Sequence, residues 1–205
     1  MPETPTPVTL TDRVRAMSAG LLSRLGLMLH RAGIHPDTLT ILGLVMVALA
    51  SLFIAQGHFQ LGGIVLLVGL PLDALDGAVA RAMKRADSFG AVLDSTLDRY
   101  ADAFIFAGLG YHFAVQDRFD LLLLCFAALM GSVSVSYIRA RAEGLGVSVR
   151  IGWFSRLERL VVVLVMLLIP NLLPLGLVIL AVGTNLTSGQ RLWVVYKALK
   201  QRFKL

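Results

Sequence analysis

Apolar residues run along this chain in blocks of helical length separated by short polar joints, not in the alternation expected of strands. Six blocks are predicted, over 37–56, 61–83, 88–115, 119–142, 153–169 and 171–195. Blocks near the roughly 20 residues that cross a hydrocarbon layer satisfy their own backbone polar groups as helices. The pattern therefore predicts an all-α, polytopic membrane protein built as a six-transmembrane-helix bundle. Two blocks depart from a plain lipid-facing run. The second is cleanly apolar only from Leu61 to Leu72, where Asp73 follows, and the third carries Asp94, Asp98 and Asp102 ahead of its apolar run over 103–115. Carboxylates thus stand inside predicted spans.

Ahead of the first block, Thr9 and Asp12 have the spacing of a capping box, with Asp in place of the usual Glu. Val14, Met17, Leu21, Leu25 and Met28 then fall on one helical stripe edged by Arg13, Arg24 and Arg31. That is the pattern of an N-terminal interfacial amphipathic helix on an anionic leaflet, and a helix packed on the bundle would show the same stripe. Pro36 favours a helix start, and Asp37 or Thr38 is expected to cap it. The chain divides into a cytoplasmic or interfacial segment, 1–35, and a transmembrane domain, 36–205. Gly131, Ser132, Ser134 and Ser136 are small residues that let the fourth span approach its neighbours closely.

Composition strengthens the membrane reading, with 57% of the 205 residues hydrophobic and only 16% charged. A formal net charge of +6 raises the question of nucleic acid, but the placement of Lys and Arg answers it otherwise. Of 19 such residues, all except Arg118 fall in the N-terminal segment, around 81–99, across 139–159 or from Arg191 onward. By the positive-inside rule these regions face the cytoplasm, with both termini inside, and no nucleic-acid partner is expected. The single cysteine, Cys125, lies in an apolar block and offers neither a disulfide nor a thiolate metal site. Residues 1–8 lack the charged and apolar regions of a cleavable signal peptide, so the spans themselves are expected to direct insertion.

The segment that carries chemistry reads Asp73-Ala-Leu-Asp76-Gly77-Ala-Val-Ala80-Arg81, followed by Gly90, Asp94 and Asp98. Steps of three and four residues put Asp73, Asp76, Gly77 and Ala80 on one helical face, and Asp94 and Asp98 on one face of the next helix. Converging carboxylates repel one another and resist desolvation, so a compensating cation is required. Oxygen ligands without nearby His or Cys point to Mg²⁺ or Mn²⁺, and a pair of ions would stabilise charge developing on a pyrophosphate. Gly77 clears the face for a phosphate or base, and Arg81, one turn on, can grip phosphate oxygens or serve as a topological anchor.

The spacing Asp-x2-Asp-Gly-x2-Ala-Arg-x8-Gly-x3-Asp-x3-Asp resembles the signature of the CDP-alcohol phosphotransferase family at all eight fixed positions. The resemblance implies a six-span fold, a binuclear metal centre held by Asp73, Asp76, Asp94 and Asp98, and contacts from Gly77 and Arg81 to the CDP moiety. It also implies Asp98 as general base, taking a proton from an acceptor hydroxyl that attacks the β-phosphorus and expels CMP. A homodimer is implied as well. Asp102 continues the Asp94–Asp98 stripe and is expected to support the ligands from behind.

Arg139, Arg159 and Arg191 stand near predicted cytoplasmic ends of three spans, where they either converge on a phosphate carried by the acceptor or simply mark topology. The segments around them are similar to those of phosphatidylinositol-phosphate synthases and their archaeal ether-lipid counterparts, whose acceptor is inositol 1-phosphate. That likeness spans roughly 30–195. It implies that Ser136, Arg139, Arg159 and Arg191 line the acceptor pocket, while Asp37, Thr38, Leu39 and Thr40 help hold CDP-diacylglycerol and Asp87 stands on the nucleotide side. Three positions depart from the expected pattern: Arg139 for Lys, Asp87 for Thr, and Leu157 for Pro. Glycerol 3-phosphate, giving phosphatidylglycerol phosphate, is the nearest alternative acceptor. An ion-coupled transporter would also hold intramembrane carboxylates, but would bring inverted repeats that the chain does not show. His30, His35, His58 and His112 share no ligand spacing, and Trp153, Trp193 and Tyr196 fit an aromatic belt.

Overall fold

The computed structural model describes residues 10–83, 88–149 and 151–202, with side chains from residue 20 onward other than those of Leu21, Asp73 and Ser88. Thr9 of the expected capping box, and Asp87, lie outside the described residues. Among the described residues the secondary structure is helical throughout: α1 Leu10–Arg31, α2 Pro36–Ala55, α3 Phe59–Ala82, α4 Ser88–Val115, α5 Phe119–Gly144, α6 Arg156–Leu168, a 3-10 turn Pro170–Leu172, and α7 Leu173–Arg202. Each of the six apolar blocks is a helix. Among the described residues, four segments are long and apolar enough to cross a membrane: Pro36–Ala55, Phe59–Ala82, Phe119–Gly144 and Pro170–Arg202. Helix α6, at 13 residues, extends about 20 Å, short of a typical hydrocarbon layer. Helix α4 reaches its apolar half only after Asp98, Arg99 and Asp102.

The joints explain why the helices stop where they do. After α2, Gly57 adopts φ 83°, and amides of Gly57 and His58 bond the carbonyls of Ile54 and Phe53 at 3.0 and 2.9 Å. This is a Schellman close, and the left-handed residue is the reason for the glycine. After α4 the same pair of bonds forms around Asp117, with φ 55°, where amides of Asp117 and Arg118 reach Ala114 and Phe113. Asp is one of the few side chains that tolerates that conformation. At the start of α2, Pro36 is the first helical residue and extended His35 is the cap, its carbonyl accepting from the Thr38 amide at 3.2 Å. Neither Asp37 nor Thr38 caps, because Pro36 already holds a helical φ; Asp37 instead places its charge in the first turn.

By contact the chain forms two compact units, Met1–Ile105 and Phe106–Leu205. In the first, α2 and α3 run antiparallel and close together, with Gly62 against Ala50 and Ile54, and Gly69 against Met46. Helix α1 packs on α3: a methyl at Gly26 would lie 2.7 Å from the Ala78 carbonyl carbon. The Ser51 hydroxyl donates to the Phe104 carbonyl, tying α2 to α4. Along α2, Ile41, Leu42, Val45, Leu49 and Leu52 remain exposed, the surface a lipid-facing helix presents.

In the second unit α5 and α7 approach at Gly131, where a methyl would run into Thr184. Polar side chains secure this seam. The Asn185 amide donates to the Ala127 carbonyl at 2.9 Å, and the Ser188 hydroxyl to the Gly131 carbonyl at 3.3 Å. Where water is absent, small residues and such bonds replace the hydrophobic drive between helices. The described residues of the segment over 145–155 fold onto α7. The Phe154 amide donates to Thr187 at 3.2 Å, the Phe154 ring covers Gly183, and Gly152, at φ 121°, is backed by Thr187.

Candidate functional site

In the first unit, α3 carries Asp73, Asp76, Gly77, Ala80 and Arg81 along its second half, and the antiparallel pairing brings the start of α2 alongside. Asp76 is only 7% exposed. The Thr40 hydroxyl donates to its Oδ2 at 2.7 Å and also lies 3.2 Å from the Pro36 carbonyl. A hydrogen bond to a carboxylate is worth about 1.5–3 kcal/mol, enough to matter for a charge held out of water. It also fixes which way the carboxylate points. Expected to touch the lipid substrate, Thr40 therefore has a further task that sequence spacing did not disclose: nothing in a hydropathy pattern pairs residue 40 with residue 76.

Around Asp76 the backbone is cleared as the motif requires. Gly77 is half-buried, and a Cβ there would lie 3.3 Å from a terminal nitrogen of Arg81, so the guanidinium folds back over the glycine one turn earlier. Pro71 lies within α3, two residues ahead of Asp73; lacking an amide hydrogen, it interrupts the helical bonding just where the motif begins. Asp94, Asp98 and Asp102 occupy successive turns of α4 and are all half-buried. At the entrance to α2, Asp37 Oδ2 lies 3.4 Å from His35 Nδ1. Leu39 is buried and Thr38 exposed.

Among the described residues, which exclude the side chain of Asp73, no three His, Cys, Asp or Glu side chains gather as a metal-holding group. The donor chemistry nevertheless fits a hard divalent cation. Asp76, Asp94 and Asp98 offer oxygen alone, and a buried carboxylate already held by a hydroxyl would meet a metal ion with its outer support in place.

The second unit holds a group of opposite charge. Arg191, on α7, is 5% exposed; its Nε donates to the Ile151 carbonyl at 2.9 Å and its Nη1 to the Val135 carbonyl of α5 at 2.8 Å. Arg159, in the first turn of α6, is 6% exposed. Arg139, on α5, is half-exposed and its Nε lies 2.9 Å from Glu143 Oε1. The charges of Arg139, Arg159 and Glu143 all act on Arg191, so three cations from three helices share one locale. Ser136 is half-buried one turn before Arg139. The Ser155 hydroxyl bonds the Glu158 carboxylate at the start of α6, steadying the turn that carries Arg159. Sequence reasoning missed Gly152, Phe154 and Thr187, which hold the 145–155 segment under Arg191. A glycine between two apolar residues was the one available hint.

A sequence model of the CDP-alcohol phosphatidyltransferase family matches residues 33–189. An archaetidylinositol phosphate synthase of Pyrococcus horikoshii is 38% identical over 93% of this chain and 99% of its own length. A phosphatidylinositol phosphate synthase of Streptomyces avermitilis is 37% identical over 91% of this chain and 82% of its own. Among solved structures, Mycobacterium tuberculosis phosphatidylinositol phosphate synthase with CDP-DAG bound superimposes with a TM-score of 0.80 at 35% identity, covering 85% of this chain and 93% of that one. The same protein in complex with manganese and citrate gives the same score.

Proposed function

This chain belongs to the CDP-alcohol phosphatidyltransferase family, membrane enzymes of phospholipid synthesis that depend on divalent metal, and from that premise we propose that it transfers the phosphatidyl group of CDP-diacylglycerol to inositol 1-phosphate. The products are phosphatidylinositol phosphate and CMP. The observation that carries the reading is the eight-position motif on α3 and α4, with Asp76 buried against Thr40. The arginines around Arg191, and the similarity to an archaetidylinositol phosphate synthase and a phosphatidylinositol phosphate synthase, support the choice of a phosphorylated acceptor.

Asp98 is the general base: it takes the proton of the acceptor hydroxyl, whose oxygen attacks the β-phosphorus as the bond from that phosphorus to the bridging oxygen breaks and CMP leaves. Asp73, Asp76, Asp94 and Asp98 would hold two ions, Mg²⁺ or Mn²⁺, which supply neutralisation of the pyrophosphate charge. Thr40 keeps Asp76 oriented, and Gly77 lets the nucleotide approach the backbone. Arg81 and Asp87 attend the nucleotide side, while Asp37, Thr38 and Leu39 complete the lipid-substrate contacts. Ser136, Arg139, Arg159 and Arg191 receive the acceptor's phosphate. The chain is read as six spans after an interfacial segment, 1–35, with site and termini facing the cytoplasm across the cell membrane, and as a homodimer.

The test is CMP release by purified protein given CDP-diacylglycerol and Mg²⁺ with inositol 1-phosphate, inositol, glycerol 3-phosphate or L-serine in parallel. Turnover with inositol 1-phosphate alone is expected. Preference for glycerol 3-phosphate overturns the acceptor and retains the mechanism. No metal-dependent CMP release with any phosphorylated acceptor overturns the reading.

A further inference from the structure

The last turns of α7 have two faces of different character. Val195, Ala198 and Leu199 pack against Ala142, Val147 and Val149, and Arg202 bonds the carbonyls of Leu145 and Gly146 at 2.8 and 3.3 Å. That face is committed to the protein. The opposite one carries Trp193, 57% exposed, and Tyr196, 51% exposed, stacked with ring centroids 5.6 Å apart. Lys197 Nζ stands 5.2 Å from the Trp193 ring centroid and Lys200 Nζ 5.7 Å from that of Tyr196. The two ammonium groups are thus held on ring faces at successive turns. No acidic residue follows Glu158, so α7 supplies no carboxylate to neutralise them.

Length places this ladder. Helix α7 has 30 residues, about 45 Å at 1.5 Å per residue, whereas a hydrocarbon core is about 30 Å thick. A crossing that starts at Leu173 uses up that thickness after roughly 20 residues, near Leu192, and the ladder begins at the next position. Aromatic rings at the interface would suit any bilayer. Two ammonium groups held on them, with no carboxylate on the same helix, do not. We infer that Trp193, Tyr196, Lys197 and Lys200 form a binding surface for the headgroups of anionic phospholipids, fixed to the protein by the opposite face of the same helix. Each surface ammonium favours an anionic leaflet by roughly fivefold at most, so the pair gives a preference large enough to measure. The inference is independent of the acceptor alcohol.

The chain has two tryptophans, so Trp153→Phe leaves Trp193 as the sole indole. The variant is reconstituted in phosphatidylcholine vesicles holding equal fractions of either brominated phosphatidylglycerol or brominated phosphatidylcholine, and quenching of Trp193 is compared. Quenching at least about twofold stronger by the anionic lipid is expected, falling to parity in a Lys197→Gln/Lys200→Gln background. The complementary Trp193→Phe protein, reporting from Trp153, should show no response to the lysine changes. Equal quenching by the two lipids in the parent, a preference that survives loss of both lysines, or shielding of Trp193 from both lipids as a second copy of the chain would produce, each overturns the inference.

Discussion

The carboxylate face of the first unit and the arginine group of the second hold charge out of water by different means. Asp76 is reached by a hydroxyl, Thr40, from the neighbouring helix of an antiparallel pair, and its companions follow at fixed steps on α3 and α4. Arg191 is held by two backbone carbonyls, one from α5 and one from the 145–155 segment. An acid can be oriented by one short side chain, whereas a guanidinium has donors enough to tie three chain segments together. Apart from the Thr40 contact, the carboxylates of the first arrangement are close in sequence; the second is assembled from residues far apart. Substitutions should therefore damage the first through chemistry and the second through architecture.

The largest effect is expected at Asp98. Asp98→Asn keeps the size of the side chain and removes the proposed base, and CMP release should fall by about 10³-fold or more with the melting temperature little changed. Retained turnover would dissociate the carboxylate face from proton transfer. Next is Thr40. Thr40→Val removes the hydroxyl from Asp76 and should raise the Mg²⁺ concentration for half-maximal CMP release by about tenfold, while Thr40→Ser restores it. An unchanged metal requirement in Thr40→Val would mean that the bond to Asp76 has no bearing on the ligand.

How far the chain disclosed itself follows the same division. Helix positions were legible because apolar blocks end at recognisable stops: Gly57 closes α2 and Pro36 opens it. The motif on α3 and α4 was legible because its members lie three and four residues apart. Membrane character followed from the same blocks, although only four helices among the described residues meet the length and apolarity of a span, since α6 is short and α4 is charged for its first half. The Thr40 contact and the fold of the 145–155 segment over α7 were hidden. Both are pairings between distant residues, and the periodicity of one helix carries no information about its neighbour's register. The cap on α2 was misplaced by two to three residues because Pro36 defines its own φ and leaves the cap to the residue before it.

Arg191 and Arg139 then divide the arginine group internally. Arg191→Lys retains the positive charge and gives up the planar fork, so the carbonyls of Ile151 and Val135 cannot both be satisfied from one ammonium in the same directions. A lower melting temperature is expected together with a KM for the phosphorylated acceptor raised about tenfold, the loss of a hydrogen bond or two near a charged ligand. A rise in KM without loss of stability would show that the carbonyl bonds are dispensable for the 145–155 segment.

Arg139 should respond least. Its side chain and that of Glu143 are each about half-exposed, at 51% and 49%, and they are spaced i, i+4 on α5. Pairs of that kind contribute about 0.3–0.5 kcal/mol, because water already solvates both partners and ordering two long side chains opposes the attraction. A lysine at this position keeps the charge that acts on Arg191 and can still meet Glu143, and no backbone carbonyl depends on the guanidinium plane. Arg139→Lys should therefore leave the acceptor KM within about twofold and the melting temperature unchanged. A much larger rise in KM would require Arg139 to grip the acceptor's phosphate with both arms of its fork, making it as geometry-dependent as Arg191 despite its exposure.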